Sequence, residues 1–227
     1  MVWSNERSPE LLHSKLRTGA TYSPWLSDQE FLKAYDAVKD FTRVDIYRCY
    51  ELWSLAKQAA AVPGSILEVG VWRGGTGCLL ALAAPAKLVY LADTFKGVVK
   101  AGAQDTRYVG GEHADTSEQV AWELLERTGA ANARLLRGIF PEETAAWVSG
   151  PISLLHVDVD VYQSGKDVVE WVLPHLPVGA AIVFDDYGFL GCEGITRLVH
   201  EMRGSLKDFT FIHNLNGHGI FIRTSKP

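Results

Sequence analysis

The stretch Val62-Pro-Gly-Ser-Ile-Leu-Glu68-Val-Gly70-Val-Trp-Arg-Gly74-Gly75-Thr76-Gly77 decides the fold of this chain. Its apolar run from Ser65 predicts a buried strand, its glycines predict a tight turn, and Thr76 to Ala84 predicts a helix. Such a turn brings backbone N–H groups close to a ligand at the helix N-terminus. Trp72 stands where a dinucleotide fingerprint needs glycine, and no Gly-Lys-Ser/Thr of a phosphate loop follows.

The same alternation of apolar strand and helix continues to the end of the chain. It predicts further strands at 87–93, 133–138, 152–158 and 179–185, helices at 118–128, 142–148, 165–173 and 192–202, and a closing hairpin of 209–213 with 219–223. Strands that are apolar throughout and alternate with helices are typical of a doubly wound, mostly parallel α/β sheet, here of six or seven strands. We expect one domain, with 63–227 as its core and 1–62 as a helical N-terminal extension that covers the ligand edge as a lid.

Composition excludes several classes of protein. The 227 residues carry a formal net charge of −5, which gives no general attraction for nucleic acid or anionic lipid. The three cysteines are widely spaced and suit neither a disulfide framework nor a cysteine-bound zinc site. No apolar run is long enough to cross a bilayer, and the first residues lack the order of a signal peptide. These features predict a cytoplasmic protein without a membrane or nucleic-acid partner.

Acidic residues follow the predicted strands, where an open α/β sheet binds its ligands. Glu68 stands two residues before the first glycine of a G-x-x-x-G loop, and Asp93 ends the next strand, 25 residues later. This arrangement resembles the S-adenosylmethionine loop of class I methyltransferases, in which the second acid binds the ribose. A tight turn or a capped strand end also explains either feature alone, whereas their occurrence on consecutive strands favours a cofactor site.

Three further aspartates lie at the ends of the fourth and fifth predicted strands, 152–158 and 179–185. Asp158 follows one strand and Asp185-Asp186 the other, so their carboxylates are expected at one edge of the sheet. Uncompensated, such a cluster repels itself, and some of its members would take up protons. Oxygen ligands favour a hard cation such as Mg²⁺, with Mn²⁺ or Ca²⁺ as alternatives. Each aspartate alone is also explained as a helix cap, but the trio favours a metal site.

Five segments together resemble the macrocin O-methyltransferase family. They are the glycine-loop stretch, Ala92-Asp-Thr-Phe-Lys-Gly, Gly138-Ile-Phe-Pro, Asp158-Val-Asp-Val-Tyr-Gln-Ser and Asp185-Asp-Tyr-Gly-Phe-Leu-Gly-Cys, in family order between Val62 and Met202. The resemblance implies a Rossmann-like class I methyltransferase with a seven-stranded sheet, dependent on S-adenosylmethionine and a metal. It also implies methylation of a sugar hydroxyl on a small-molecule glycoside in antibiotic biosynthesis, by a homo-oligomer.

The resemblance also assigns roles to individual residues. Asp158, Asp185 and Asp186 would hold the metal. The methionine end of the cofactor would be bound by Glu68, Gly70, Val71, Trp72, Gly74, Gly75 and Thr76. The ribose would be bound by Asp93, Thr94 and Phe95, and the adenine by Gly138 and Ile139. Val159 and His156 depart from the family pattern, which usually has glycine and arginine there, and this affects the expected shape of the acceptor pocket.

A general base is needed for the acceptor hydroxyl. The lysine that catechol methyltransferases place three residues after the first metal aspartate is Val161 here, so Asp158 and then His156 are the first candidates. Asp160, His213 and His218 are alternatives. Arg43, Arg48 and Lys96 are expected to be solvated surface charges. Two other functions stay open, a nicotinamide-dependent oxidoreductase and an O-methyltransferase of a phenolic or catechol acceptor.

Overall fold

A computed structural model describes Val2–Ser4, Leu12–Ser14 and residues 19–225. Its elements follow the predicted alternation of strand and helix. In chain order they are β1 (Val2–Ser4), β2 (Leu12–Ser14), α1 (Gln29–Val38), α2 (Ile46–Ala59), β3 (Ser65–Val69), α3 (Gly75–Ala83), β4 (Val89–Asp93), α4 (Glu118–Thr128), β5 (Ala133–Arg137), β6 (Ile152–Val157), α5 (Tyr162–Val172), β7 (Ala181–Phe184), α6 (Glu193–Ser205), β8 (Phe209–His213) and β9 (Gly219–Arg223).

The main sheet has seven strands in the order β5-β4-β3-β6-β7-β9-β8. The first five strands are parallel, and β9 runs antiparallel to both of its neighbours. The strand order reverses between β3 and β6, so the carboxyl ends of these two strands flank the crevice where such sheets bind ligands. The predicted doubly wound sheet is confirmed, and the closing hairpin has the predicted bounds.

The N-terminal helices belong to the core of the sheet rather than to a loose appendage. Phe31 of α1 and Leu52 of α2 are fully buried in the same hydrophobic cluster as Leu79 and Leu80 of α3. Aspartates begin both helices: the Asp28 carboxylate accepts from the N–H of Phe31, and Asp45 caps α2 in the same way. Because these side chains pack together without exposure to solvent, α2 is held in a fixed position at the ligand edge of the sheet.

Three local predictions need correction. Residues 1–62 are not helical throughout, because β1 and β2 pair as an antiparallel hairpin; the parts at 1, 5–11 and 15–18 lie outside the described residues. The helix predicted at 142–148 is a single 3-10 turn, Ala145–Trp147, which ends before Gly150 turns with a positive φ of 76°. The helix predicted to begin at Gly165 begins at Tyr162 instead, because the Asp105 carboxylate, from a distant loop, accepts a hydrogen bond from the backbone N–H of Tyr162 at 2.9 Å.

The part of the chain that the structure describes contains no helix long and apolar enough to cross a membrane.

Candidate active site

A cavity of about 450 Å³ lies at the carboxyl ends of β3, β4, β6 and β7. A site of this size suits a small-molecule ligand. Its wall contains most of the residues that the sequence predicts for cofactor and metal, namely Gly70, Val71, Trp72, Thr76, Asp93, Thr94, Gly138, Ile139, Asp158, Asp185 and Asp186. Helix α2 and the segment before it close the cavity with Arg48 and residues 41–44.

The glycine loop is tied down by a single carboxylate. Asp93 Oδ2 accepts hydrogen bonds from the backbone N–H groups of Val71 and Trp72, at 2.7 and 2.8 Å, and Oδ1 accepts from Phe95 N at 2.6 Å. Trp72 and Phe95 both have positive φ, which is unusual for non-glycine residues and typical of functional loops. Because a carboxylate accepts about four hydrogen bonds, Asp93 keeps acceptor capacity on the cavity wall.

Gly70 marks the closest approach of two strand ends. Its φ is +92°, and a Cβ added there would lie 1.7 Å from the carbonyl oxygen of Asp158. No side chain fits in that space. The first glycine of the loop is therefore required by the approach of β6 and by its own backbone conformation.

Five predicted site residues do not line the cavity. Gly74 and Gly75 turn the chain into α3, and Gly75 packs against the backbone of Phe41. Phe95 borders a separate surface hollow beside α4. Glu68 and His156 are fully buried beneath the cavity, where His156 Nδ1 donates to Glu68 Oε1 at 2.8 Å. Their placement does not support contact of these residues with the cofactor, and it does not support proton transfer by His156.

The buried Glu68–His156 pair has an electrostatic role instead. Burial alone would lower the pKa of His156, but the Asp185 and Glu68 carboxylates outweigh it and raise that pKa to about 10. These two carboxylates favour the imidazolium form of His156, which has no free lone pair with which to accept a proton.

Asp158, Asp185 and Asp186 meet as the strand order predicts, with one ligand oxygen from each within 4.8 Å of the others. Burial and the charges of Asp185 and Asp186 raise the pKa of Asp158 well above its usual value. Burial and the charges of Asp160 and Asp185 do the same to the pKa of Asp186. Among the described residues, Asp186 Oδ2 is buried without a hydrogen-bond partner. This edge of the cavity has an excess of negative charge.

Asp185 differs from the other two because both of its carboxylate oxygens have hydrogen-bond partners. Arg48 donates to Oδ2, His218 Nε2 lies 3.0 Å from Oδ1, and His156 Nε2 lies 3.7 Å from the same oxygen. Although burial opposes ionisation, His156, His218 and Arg48 hold the pKa of Asp185 far below its usual range. Arg48 is only 6% exposed, so the expectation that it is a solvated surface charge is wrong.

The remaining base candidates lie in different places. His218 is fully buried with both ring nitrogens facing carboxylates, and His213 is exposed and packs against the ring of Tyr187. Asp160 lines the cavity with a positive φ of 64°. Its Oδ2 lies 3.8 Å from His113 Nε2.

Sequence reasoning missed several residues of the site. His113, Tyr108 and Arg107 line the cavity from the long loop between β4 and α4, which carries no recognisable motif. Arg48 and Glu51, three residues apart on α2, lie on one helix face, and that spacing is the one local signal that they act together.

Comparison with known proteins adds independent findings. The model of the macrocin-O-methyltransferase family matches residues 43–224. The 8-demethyl-8-(2,3-dimethoxy-alpha-L-rhamnosyl)-tetracenomycin-C 4'-O-methyltransferase of Streptomyces olivaceus is 32% identical over 180 residues, which are 73% of this chain and 67% of that protein. The mycinamicin III 3''-O-methyltransferase of Micromonospora griseorubida is 28% identical over 180 residues, 72% of this chain and 70% of that protein.

A solved structure supports the fold. The O-methyltransferase NovP superimposes with a TM-score of 0.71 at 24% identity, covering 82% of this chain and 83% of that one.

Proposed function

This chain belongs to the macrocin-O-methyltransferase family and is an S-adenosylmethionine-dependent O-methyltransferase, and we propose that its acceptor is a sugar hydroxyl of a small-molecule glycoside. We further propose that it works with a divalent cation. The rhamnosyl group in the name of one relative supports the acceptor class. The observation that carries the cation is the cluster of three carboxylates on the cavity wall. The family also excludes the nicotinamide-dependent alternative.

The residues present fit a hard divalent cation. Their donors are all carboxylate oxygens, and one oxygen of each of Asp158, Asp185 and Asp186 lies within 4.8 Å of the others. Asp186 Oδ2 is buried without a hydrogen-bond partner among the described residues. Burial removes the water that would solvate this oxygen, and no hydrogen bond replaces it. A bound cation would supply an interaction in place of that water. Asp158, Asp185 and Asp186 would hold Mg²⁺, or Mn²⁺ or Ca²⁺ in its place.

We assign the cofactor to the half of the cavity around the glycine loop. The turn at Gly70 allows backbone to approach the cofactor, and Asp93 both fixes the loop and offers acceptor capacity to the ribose. Gly138 and Ile139, after β5, line the cavity and would contact the adenine. Such binding would hold the cofactor's methyl group in place for the acceptor, and positioning of this kind supplies much of the rate of a displacement at carbon.

We assign the acceptor to the half of the cavity next to the carboxylates. The bound cation would lower the pKa of a coordinated sugar hydroxyl. Asp158 is our candidate for the group that accepts the hydroxyl proton, because it lines the cavity at the proposed cation site, next to where the acceptor would bind. Asp160, on the same wall, is the alternative. Bound S-adenosylmethionine would supply the methyl group for the acceptor oxygen and would leave as the thioether.

Calorimetric titration of the full chain tests the cofactor and cation parts separately. We expect S-adenosylmethionine to bind wild type with micromolar affinity, and Mg²⁺ to bind wild type but not Asp186→Asn. Asp36→Asn, at an exposed carboxylate of α1, is the matched control and should bind both as wild type does. Absence of cofactor binding would contradict the site assignment, whereas absence of Mg²⁺ binding would remove only the cation.

Transfer of a labelled methyl group to a panel of glycosides and catechols tests the acceptor class. We expect product from glycosides with neighbouring free hydroxyls and none from catechols. Product from catechols alone would replace the sugar acceptor by a phenolic one. The homo-oligomeric state, the cytoplasmic location and the role of 1–62 as a lid stay predictions.

A further inference from the structure

A chain of alternating acids and histidines runs through Asp185. On one side His218 Nε2 lies 3.0 Å from Asp185 Oδ1, and His218 Nδ1 is hydrogen-bonded to Glu51 Oε2. On the other side lies the pair of His156 and Glu68 described above. His218 and His156 are fully buried, and neither lines the cavity. A buried, partnered His218 beside a cavity carboxylate is not explained by the reaction itself.

The turn between β8 and β9 is built so that His218 reaches Asp185. Asn214 Oδ1 accepts from the backbone N–H of His218 at 3.0 Å, and Asn214 Nδ2 donates to Glu51 Oε2 at 2.7 Å. Gly217 has a φ of +93°, and a Cβ there would lie 2.3 Å from the ring of Phe189. The turn, Glu51 and His218 therefore form one hydrogen-bonded unit that ends on Asp185 Oδ1.

Helix α2 reaches Asp185 along two branches. Arg48 donates directly to Oδ2, and Glu51, one turn further along, acts on Oδ1 through His218. With one partner on each oxygen, rotation of the Asp185 carboxylate would break a hydrogen bond on either side. Asp186 has no such pair of partners, because its Oδ2 is without one among the described residues.

We propose that Glu51 and His218 are positioning residues of the cation site, which fix the Asp185 carboxylate in the orientation that a cation requires. This inference rests on the proposed function, since it presupposes cation binding at the three aspartates. Groups that orient metal ligands are worth roughly 10- to 100-fold in metal affinity when mutated. His218 is therefore a supporting residue rather than a base, and the N-terminal region contributes to the cation site as well as to the cavity wall.

The test measures Mn²⁺ affinity of the full chain by electron paramagnetic resonance, without cofactor or acceptor. His218→Asn should weaken Mn²⁺ binding about 10-fold or more, and Glu51→Gln should weaken it by about 3- to 10-fold. His175→Asn and Glu30→Gln are the matched controls, because His175 stacks on Trp171 and Glu30 is an exposed partner of Lys57. Both should bind Mn²⁺ as wild type does. Affinity for S-adenosylmethionine should stay unchanged throughout.

A double variant tests whether Glu51 acts through His218. If it does, Glu51→Gln combined with His218→Asn binds Mn²⁺ no more weakly than His218→Asn alone. Additive losses of Mn²⁺ affinity would contradict the proposal that Glu51 acts through His218. A folded His218→Asn variant whose Mn²⁺ affinity is within about twofold of wild type would contradict it as well. Where His218→Asn does not fold, Glu51→Gln decides, because Glu51 is partly exposed. Wild type that takes up no Mn²⁺ overturns the proposed cation and this inference together, while cofactor binding still tests the methyltransferase site.

Discussion

The two halves of the cavity are built from different material. The glycine-loop half is mainly backbone: a turn with positive φ at Gly70 and Trp72, held by one carboxylate, Asp93. The carboxylate half consists of side chains whose partners come from distant segments, such as Arg48, 137 residues before Asp185. The difference teaches that the first half is fixed by backbone conformation and by the close approach of the neighbouring strand ends, whereas the second depends on how α2 and the β8–β9 hairpin pack against the sheet.

The largest expected effect would come from Gly70→Ala. The added Cβ would lie 1.7 Å from the Asp158 carbonyl oxygen, at a φ of +92°, so β3 and β6 would have to separate. We expect a loss of about 4 kcal/mol or more in the free energy of unfolding, measured by urea denaturation. Gly150→Ala is the control: its φ is also positive, but nothing lies within 4 Å, and about 1 kcal/mol is expected. Equal losses of stability in the two variants would contradict the conclusion that close backbone packing determines the glycine-loop half of the cavity.

Neighbouring aspartates should respond in opposite ways to the loss of charge. Asp185→Asn removes one of the two carboxylates that face each of the buried Arg48 and His156, and we expect about 3 kcal/mol of destabilisation in EDTA. Asp186→Asn relieves repulsion from Asp160 and Asp185, so it should be neutral or stabilising in EDTA but should abolish any rise in Tm with Mg²⁺. Thermal unfolding with and without Mg²⁺ measures both. Similar losses in EDTA would show that these two carboxylates are equivalent.

The smallest expected effect sharpens the comparison within the loop. Asp93→Asn replaces a carboxylate that accepts three backbone hydrogen bonds, and about 2 kcal/mol of destabilisation is expected, together with weaker S-adenosylmethionine binding. Asp115→Asn changes an exposed carboxylate that binds the indole of Trp72 and the side chain of Arg73. Its unfolding midpoint should hardly move. If Asp115→Asn destabilised the protein as much as Asp93→Asn, the stability of the loop would depend on its exposed contacts.

The fold was predictable because its signals are local. Apolar strands, glycine turns and cap residues lie next to the elements they define, and α4 has the predicted bounds, 118–128. The edge that brings Asp158 and Asp185 together follows from strand order alone, since parallel strands end at the same edge. Whether each predicted residue performs its assigned role stays a prediction.

Side-chain direction was not predictable for the buried strands. Every residue of β3 from Ile66 to Val69 is buried, so the strand shows no polar and apolar alternation that would tell which face Glu68 occupies. The same holds for His156 on β6. Arg48 was misjudged for a different reason: an arginine on an amphipathic helix is ordinarily solvated, and its burial depends on a partner far away in the sequence.

The two branches from α2 to Asp185 bear on the redesign of this enzyme. N-terminal segments differ in length and sequence among proteins and are attractive units to exchange when a new acceptor is wanted. Here the exchanged unit would carry Asp45, Arg48 and Glu51, whose hydrogen bonds end on the carboxylate cluster or its supports. A chimera that replaced them would remove the α2 partners of Asp185 and His218 as well as the segment that was to be exchanged. Grafts that keep these three side chains on α2 and vary the segment before Asp45 would leave those partners in place.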